Sequence, residues 1–211
     1  MHNIFLWSIC FFIALTLSTF IHELGHGLSN LLYGRRVSTG FSKVGNFGKR
    51  PSSNDFRTNY FEESYILYDL GVIITLILAL SFYTLLRVTH NPYLVTIIGS
   101  FAYSNSLLRL IPCANSIYGL VRRGKPNMED EVGMGIALSS KVRIPLIQYI
   151  PLLISLSISI YTLNGTIGLL SQKLRGFLAI DSYFVIASII ILLVNSQFLE
   201  WLDERYRVNW G

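Results

Sequence analysis

Apolar residues along this chain gather into five long runs, at 4–33, 65–88, 92–112, 144–163 and 177–201, separated by shorter polar segments. The runs are not broken by the apolar and polar alternation that a soluble domain uses to cover a core. Each is long enough to cross about 30 Å of hydrocarbon as an α-helix, which takes roughly 20 residues. The expected fold is therefore all-α, a polytopic membrane protein of about five transmembrane helices forming one integral membrane domain over residues 1–211. The first run exceeds one crossing and is expected to tilt or protrude.

Composition agrees with this pattern. Of 211 residues, 52% are hydrophobic and only 14% charged, with a mean hydropathy of +0.49, whereas a soluble domain carries about a quarter charged residues. The net charge of +5 is no sign of nucleic-acid binding, because the basic residues fall between the apolar runs; the partner they imply is the lipid bilayer. The first run lacks a preceding Lys or Arg and a small-residue cleavage pattern, so it is expected to be retained. Cys10 and Cys113 fall near opposite membrane faces, and a disulfide needs Cα atoms within about 7 Å, so neither a disulfide nor a thiolate metal site is expected.

The distribution of Lys and Arg predicts orientation. The segment after the first run holds Arg35, Arg36, Lys43, Lys49, Arg50 and Arg57, the segment after the third holds Arg109, Arg122, Arg123, Lys125, Lys141 and Arg143, and the tail holds Arg205 and Arg207. That places 14 basic residues on one side against Arg87, Lys173 and Arg175 on the other. The amino terminus is expected outside a cell (inner) membrane and the carboxyl terminus in the cytoplasm. Residues 35–59 contain Gly40, Gly45, Gly48 and Pro51 and read as a basic loop, with short strands around 37–44; it can rest on anionic headgroups or act as a flap. Asn164-Gly165-Thr166 fits a glycosylation acceptor in an outer loop.

One stretch does not belong in an apolar run. His22-Glu23-Leu24-Gly25-His26 sits inside the first span, where ionisable residues cost about 2.5 to 3.5 kcal/mol each and are functional candidates. Residues four apart share a helix face, so His22 and His26 can offer two imidazole nitrogens to one ion with Glu23 beside it. This is the His-Glu-x-x-His arrangement of zinc hydrolases, in which zinc takes three protein ligands and leaves a fourth position for water. Glu23 is the expected general base. The pair lies eight to twelve residues before Gly34, roughly 12 to 18 Å below the cytoplasmic face. Asp69 in the second span, and Ser100, Ser104, Asn105 and Ser106 in the third, come to a similar depth. The cluster Asn127-Met128-Glu129-Asp130-Glu131 reads as a solvated helix start, where carboxylates are favourable. Ser155, Ser157 and Ser159 suggest helix packing alone.

With this motif inside a span, at this depth and orientation, the chain resembles the site-2 protease family of intramembrane zinc metallopeptidases. The resemblance covers residues 15–135, a three-helix core, and leaves residues 136–211 as two additional transmembrane helices. It implies that His22 and His26 bind one zinc ion, that Glu23 is the general base, and that an aspartate from a later core helix completes the site. The family's second signature, an asparagine and a proline followed by Leu-Asp-Gly, is altered here, since no Asp-Gly occurs in the chain. Asn105, Pro112 and Asp130 keep the order, so Asp130 is the expected third ligand, ahead of Asp69 and Glu131, with Asp181 on the wrong side. Asn105 is a candidate for binding substrate backbone. The function so implied is hydrolysis of peptide bonds in or near transmembrane segments of a membrane-protein substrate. The other reading is a non-catalytic zinc-binding membrane scaffold of the same fold, which a fully protein-ligated, closed zinc would favour. A metal or ion carrier is disfavoured, because the chain lacks paired broken helices in two similar halves.

Overall fold

A computed structural model describes residues 2–47, 69–175, 177–178 and 182–211. Within these residues the chain forms helices α1 (His2–Leu32), α2 (Leu70–Val88), α3 (Pro92–Arg123), α4 (Asp130–Val142), α5 (Ile150–Lys173) and α6 (Ser182–Asp203). A 3-10 turn at Pro145–Tyr149 leads into α5. All but α4 are long and apolar enough to cross a membrane, and the protein is an all-α polytopic membrane protein. Helix α3 is the centre, packed on α1, α2 and α5, while α6 lies against α1. An aromatic cluster of Trp7, Phe11, Tyr103 and Phe184 ties α1, α3 and α6 together away from the motif, with ring centroids 4.7 to 5.8 Å apart. At those separations the rings gain edge and offset contacts beyond the area they bury.

Helices α1 and α2 meet at glycine. A Cβ placed on Gly25 would lie 2.6 Å from the Gly71 Cα, and one on Gly71 would lie 2.8 Å from the His22 carbonyl oxygen. The backbones therefore touch where the motif sits, as small residues permit between membrane helices. Asp69 caps α2 by accepting from the Gly71 N–H at 2.9 Å, and Ser29 Oγ accepts from the Leu70 N–H at 2.9 Å. The start of α2 is thereby tied to α1 one turn beyond His26.

The third span does not end at Pro112. Helix α3 runs through it to Arg123 and stops at Gly124, whose φ of 71° is left-handed. A proline costs one ladder bond but is accepted in membrane helices that have neighbours to compensate. Here the residues after Pro112 form the platform for the returning chain: Asn127 Nδ2 donates to the Asn115 carbonyl at 3.0 Å and Ser116 Oγ donates to the Asn127 carbonyl at 3.2 Å. The 13-residue α4 then runs back along the bundle.

Two expectations change with these boundaries. Arg109, counted with the loop cations, is buried inside α3, because carboxylates from α4 meet it there. The fourth span continues to Lys173, so Asn164-Gly165-Thr166 lies within α5 with Thr166 buried, and no outer loop presents it. Lys173 Nζ instead donates to the carbonyls of Leu86, Arg87 and Thr89 at the end of α2, which puts Lys173 beside Arg87 as the charge division requires. Cys10 and Cys113 are both free. The start of the second run (65–68), the part of the basic segment from Gly48 to Asn59 and Asp181 lie outside the described residues.

The expected strands form as a hairpin, β1 (Val37–Thr39) and β2 (Val44–Asn46). A strand that the hydropathy pattern did not predict, β3 (Val208–Trp210), pairs antiparallel with the other side of β1, giving the order β2-β1-β3 with Val37 opposite Trp210. Asp203, the last residue of α6, accepts from the backbone N–H groups of Phe41 and Ser42 and from the Ser42 hydroxyl. The first polar segment and the tail after α6 therefore share one face of the bundle.

In a background lacking Cys10 and Cys113, single cysteines replacing Arg123 and Arg207 are expected to react with an impermeant maleimide from the same side of the membrane, and one replacing Arg175 from the opposite side. Labelling of intact cells and of inverted vesicles checks this. Gly25→Ala is expected to force α1 from α2 and destabilise the protein by about 1 to 3 kcal/mol, read as a lowered thermal midpoint in detergent.

Candidate metal centre

The helical spacing of His22 and His26 does what it predicts. Their Nε2 atoms are 2.9 Å apart, and both rings are buried. Asp130, the first residue of α4, brings Oδ2 to 3.3 Å from His22 Nε2 and 3.7 Å from His26 Nε2. The fold-back of α4 makes this possible, carrying the Asp130 side chain to 15% exposure. The acidic cluster is thus a helix start as expected, but one folded onto the first span.

The outer nitrogens settle which ring atoms face inward. His26 Nδ1 lies 2.8 Å from Asp69 Oδ1, a carboxylate that can only accept. His22 Nδ1 lies 3.1 Å from Thr75 Oγ1, whose own proton is used on the Gly71 carbonyl at 2.8 Å. Both Nδ1 atoms therefore donate outward, and both Nε2 atoms face Asp130. Carboxylate and hydroxyl partners on the far nitrogen are the support that metal-binding histidines use. Asp69, the second candidate for third ligand, is thus brought to the site in another capacity: it orients His26.

Two imidazole nitrogens and one carboxylate oxygen converge here. Their separations of 2.9, 3.3 and 3.7 Å bracket the edge of about 3.3 Å expected of a tetrahedron with bonds of about 2.0 Å. His22, His26 and Asp130 can hold a metal ion. One cation of the protein also reaches them: Arg109 Nη1 is 3.1 Å from Asp130 Oδ2 and 3.3 Å from Glu131 Oε1, and Nη2 is 3.3 Å from His22 Nε2. Glu131, the third candidate, turns away to this arginine and to Ser155 Oγ, which donates to it at 2.8 Å.

Glu23 lines a cavity of about 440 Å³ together with His22, His26, Arg109 and Asp130, and the hairpin residues Ser42 to Val44 form one wall of it. Asn105 does not line this cavity; its Nδ2 donates to Ser18 Oγ at 2.9 Å and to its own helix at Phe101, joining α3 to α1. Ser100, Ser104 and Ser106 bond back to their own helix, and Ser106 also meets Thr162 of α5. The residues that sequence reasoning missed are Arg109, Thr75 and Ser155. Arg109 carried a usable signal, since it is an ionisable residue inside the third apolar run, the condition that singled out the histidines. Thr75 and Ser155 carried none, because a hydroxyl in a membrane helix usually bonds its own turn.

Asp130→Ala is expected to weaken binding of a divalent metal more than Asp69→Asn, and Asp69→Asn to weaken it about 10- to 100-fold, the usual cost of removing the partner of a metal-bound histidine. Equilibrium zinc titration of the purified chain in detergent checks both. No family model matches this chain, and no curated protein and no solved structure matches it significantly.

Proposed function

We propose that this protein is an intramembrane zinc metalloendopeptidase that hydrolyses peptide bonds in or near transmembrane segments of other membrane proteins. The observation that carries the reading is the convergence of His22 Nε2, His26 Nε2 and Asp130 Oδ2 beside Glu23 in one cavity inside an apolar bundle. Two imidazoles and a carboxylate, with space left for a further ligand, are the donor set of catalytic zinc. When bound, zinc supplies Lewis-acid polarisation of a carbonyl and lowers the pKa of water. Glu23 is the group in reach to take up the proton released as water attacks the carbonyl and to return it to the leaving amine. Asp69 and Thr75 hold the imidazoles in the tautomer that leaves Nε2 free.

The hairpin beside the cavity follows a span end, so water and an unwound substrate segment can reach Glu23 from that face. With Arg109 withdrawn from the count, basic residues still divide 13 to 3, which supports a cytoplasmic face for the hairpin and an outer face for the amino terminus. Arg109 also favours a second reading, a membrane scaffold without catalysis, because its guanidinium already faces two of the three ligand atoms.

Glu23→Gln is expected to retain zinc and to lower cleavage of a transmembrane reporter by about 10²- to 10⁴-fold, the contribution of a general base. Metal analysis with the cleavage assay separates the readings. A wild-type chain that binds no zinc, or a Gln variant that cleaves normally, removes the peptidase assignment.

A further inference from the structure

Arg109 has more hydrogen-bonding capacity than its surroundings use. A guanidinium carries five N–H donors. Nη1 is taken by Asp130 and Glu131, Nη2 makes one contact, to His22 Nε2, and Nε is buried with no partner among the described residues. A buried donor left unpaired costs about 1 to 3 kcal/mol and calls for an explanation.

The contact with His22 is also conditional. A neutral imidazole nitrogen has one lone pair, and the His22 tautomer set by Thr75 leaves that pair on Nε2. A metal held by Nε2 would take the pair, and Nη2 would then lose its acceptor. The carboxylate contact is different: Asp130 Oδ2 has two lone pairs and can serve a metal and Nη1 together. Metal binding would therefore leave Nη1 anchored and free Nη2. Glu131 pairs with the same Nη1 of Arg109 and accepts from Ser155, so the guanidinium remains beside the ligands without adding an uncompensated cation to them. Arg109 also lines the cavity that holds Glu23.

We infer that Arg109 is a further catalytic residue of the proposed peptidase, donating from Nη2 to the scissile carbonyl oxygen as it gains negative charge. This rests on the metallopeptidase reading. The hydrogen bond to a neutral carbonyl becomes charge-assisted as water adds to the carbon and the C=O electron pair moves onto oxygen, so it strengthens toward the transition state. The proton from water goes to Glu23, and the electron pair returns from oxygen as the C–N bond breaks. Arg109 stays protonated throughout.

The test uses the full chain in detergent, loaded with zinc, and two synthetic probes: a phosphinic dipeptide, which presents a tetrahedral oxyanion, and the matched dipeptide thiol, which reaches zinc through sulfur and presents no oxyanion. Arg109→Met is expected to weaken the phosphinate about a hundred-fold, the usual loss for one oxyanion donor, with thiol affinity changed less than about three-fold. Arg109→Lys should recover part of the difference. Because Arg109→Met leaves Glu131 without its partner, the pair Arg109→Met with Glu131→Gln serves if the single variant does not fold. Equal weakening of both probes would show that Arg109 only places Asp130, and undiminished phosphinate binding would show that it has no such role; either result overturns the inference while leaving the zinc reading intact. A wild-type chain that takes up no zinc overturns the zinc reading and this inference with it.

Discussion

The structure depends on the pairing of charge among side chains buried in an apolar bundle. His22, Glu23, His26, Asp69, Arg109, Asp130 and Glu131 are gathered where α1, α2, α3 and α4 meet, and all but Asp130 are nearly fully buried. A single one of these groups, stranded in hydrocarbon, would cost several kcal/mol. Most of them meet a partner: Asp69 accepts from His26 Nδ1, and Arg109 donates to both Asp130 and Glu131. Removing one partner of such a set leaves the other uncompensated, at about 3 to 5 kcal/mol. The cluster therefore dictates where α4 must dock and why a short helix returns along the bundle after α3.

Helix geometry and side-chain chemistry reinforce one another at the glycine crossing. Only where Gly25 and Gly71 let the backbones touch can Asp69 cap α2 and still reach His26. One carboxylate oxygen thus satisfies a helix terminus and orients an imidazole. The same economy appears at Asp203, which ends the last helix and holds the hairpin that walls the cavity. The last two spans also contact the surroundings of the site: Ser155 donates to Glu131, and Asp203 with β3 holds the hairpin.

What could be read from the chain divides by the range of the interaction. The five spans and the histidine pair follow from local periodicity, which the bilayer makes unusually informative because every backbone group must be bonded within its own segment. Asp130 was singled out by the chain order that the resemblance implies, though the route by which it arrives was not legible, because Pro112 marks a helix end in water and is tolerated within a packed membrane helix. Asp69 was visible as a buried acid, but periodicity carries no information on whether it meets Nδ1 or Nε2, and that distinction separates a metal ligand from the residue that orients one. Arg109 was misjudged for a definite reason. Counting cations by segment treats each as a solvated charge, and this one is matched by two acids more than twenty residues later in the chain. Strand β3 is three residues long, and its pairing is with a segment some 170 residues earlier, so no local pattern announces it.

The position of the cluster within the bundle also bears on the proposed reaction. The ligand atoms and Glu23 line a cavity walled by hairpin residues whose strand β1 pairs with the tail at one face of the bundle. Surroundings of this kind strengthen every electrostatic contact relative to water, and they penalise any donor or acceptor that lacks a partner. Preformed donors in such a site need no reorientation when charge develops on a reacting oxygen. A peptide carbonyl brought there from a membrane segment is itself short of partners once its helix unwinds. On the proposed reading the cavity would offer it the donors of Arg109, and buried charges that would otherwise be a liability would serve its binding.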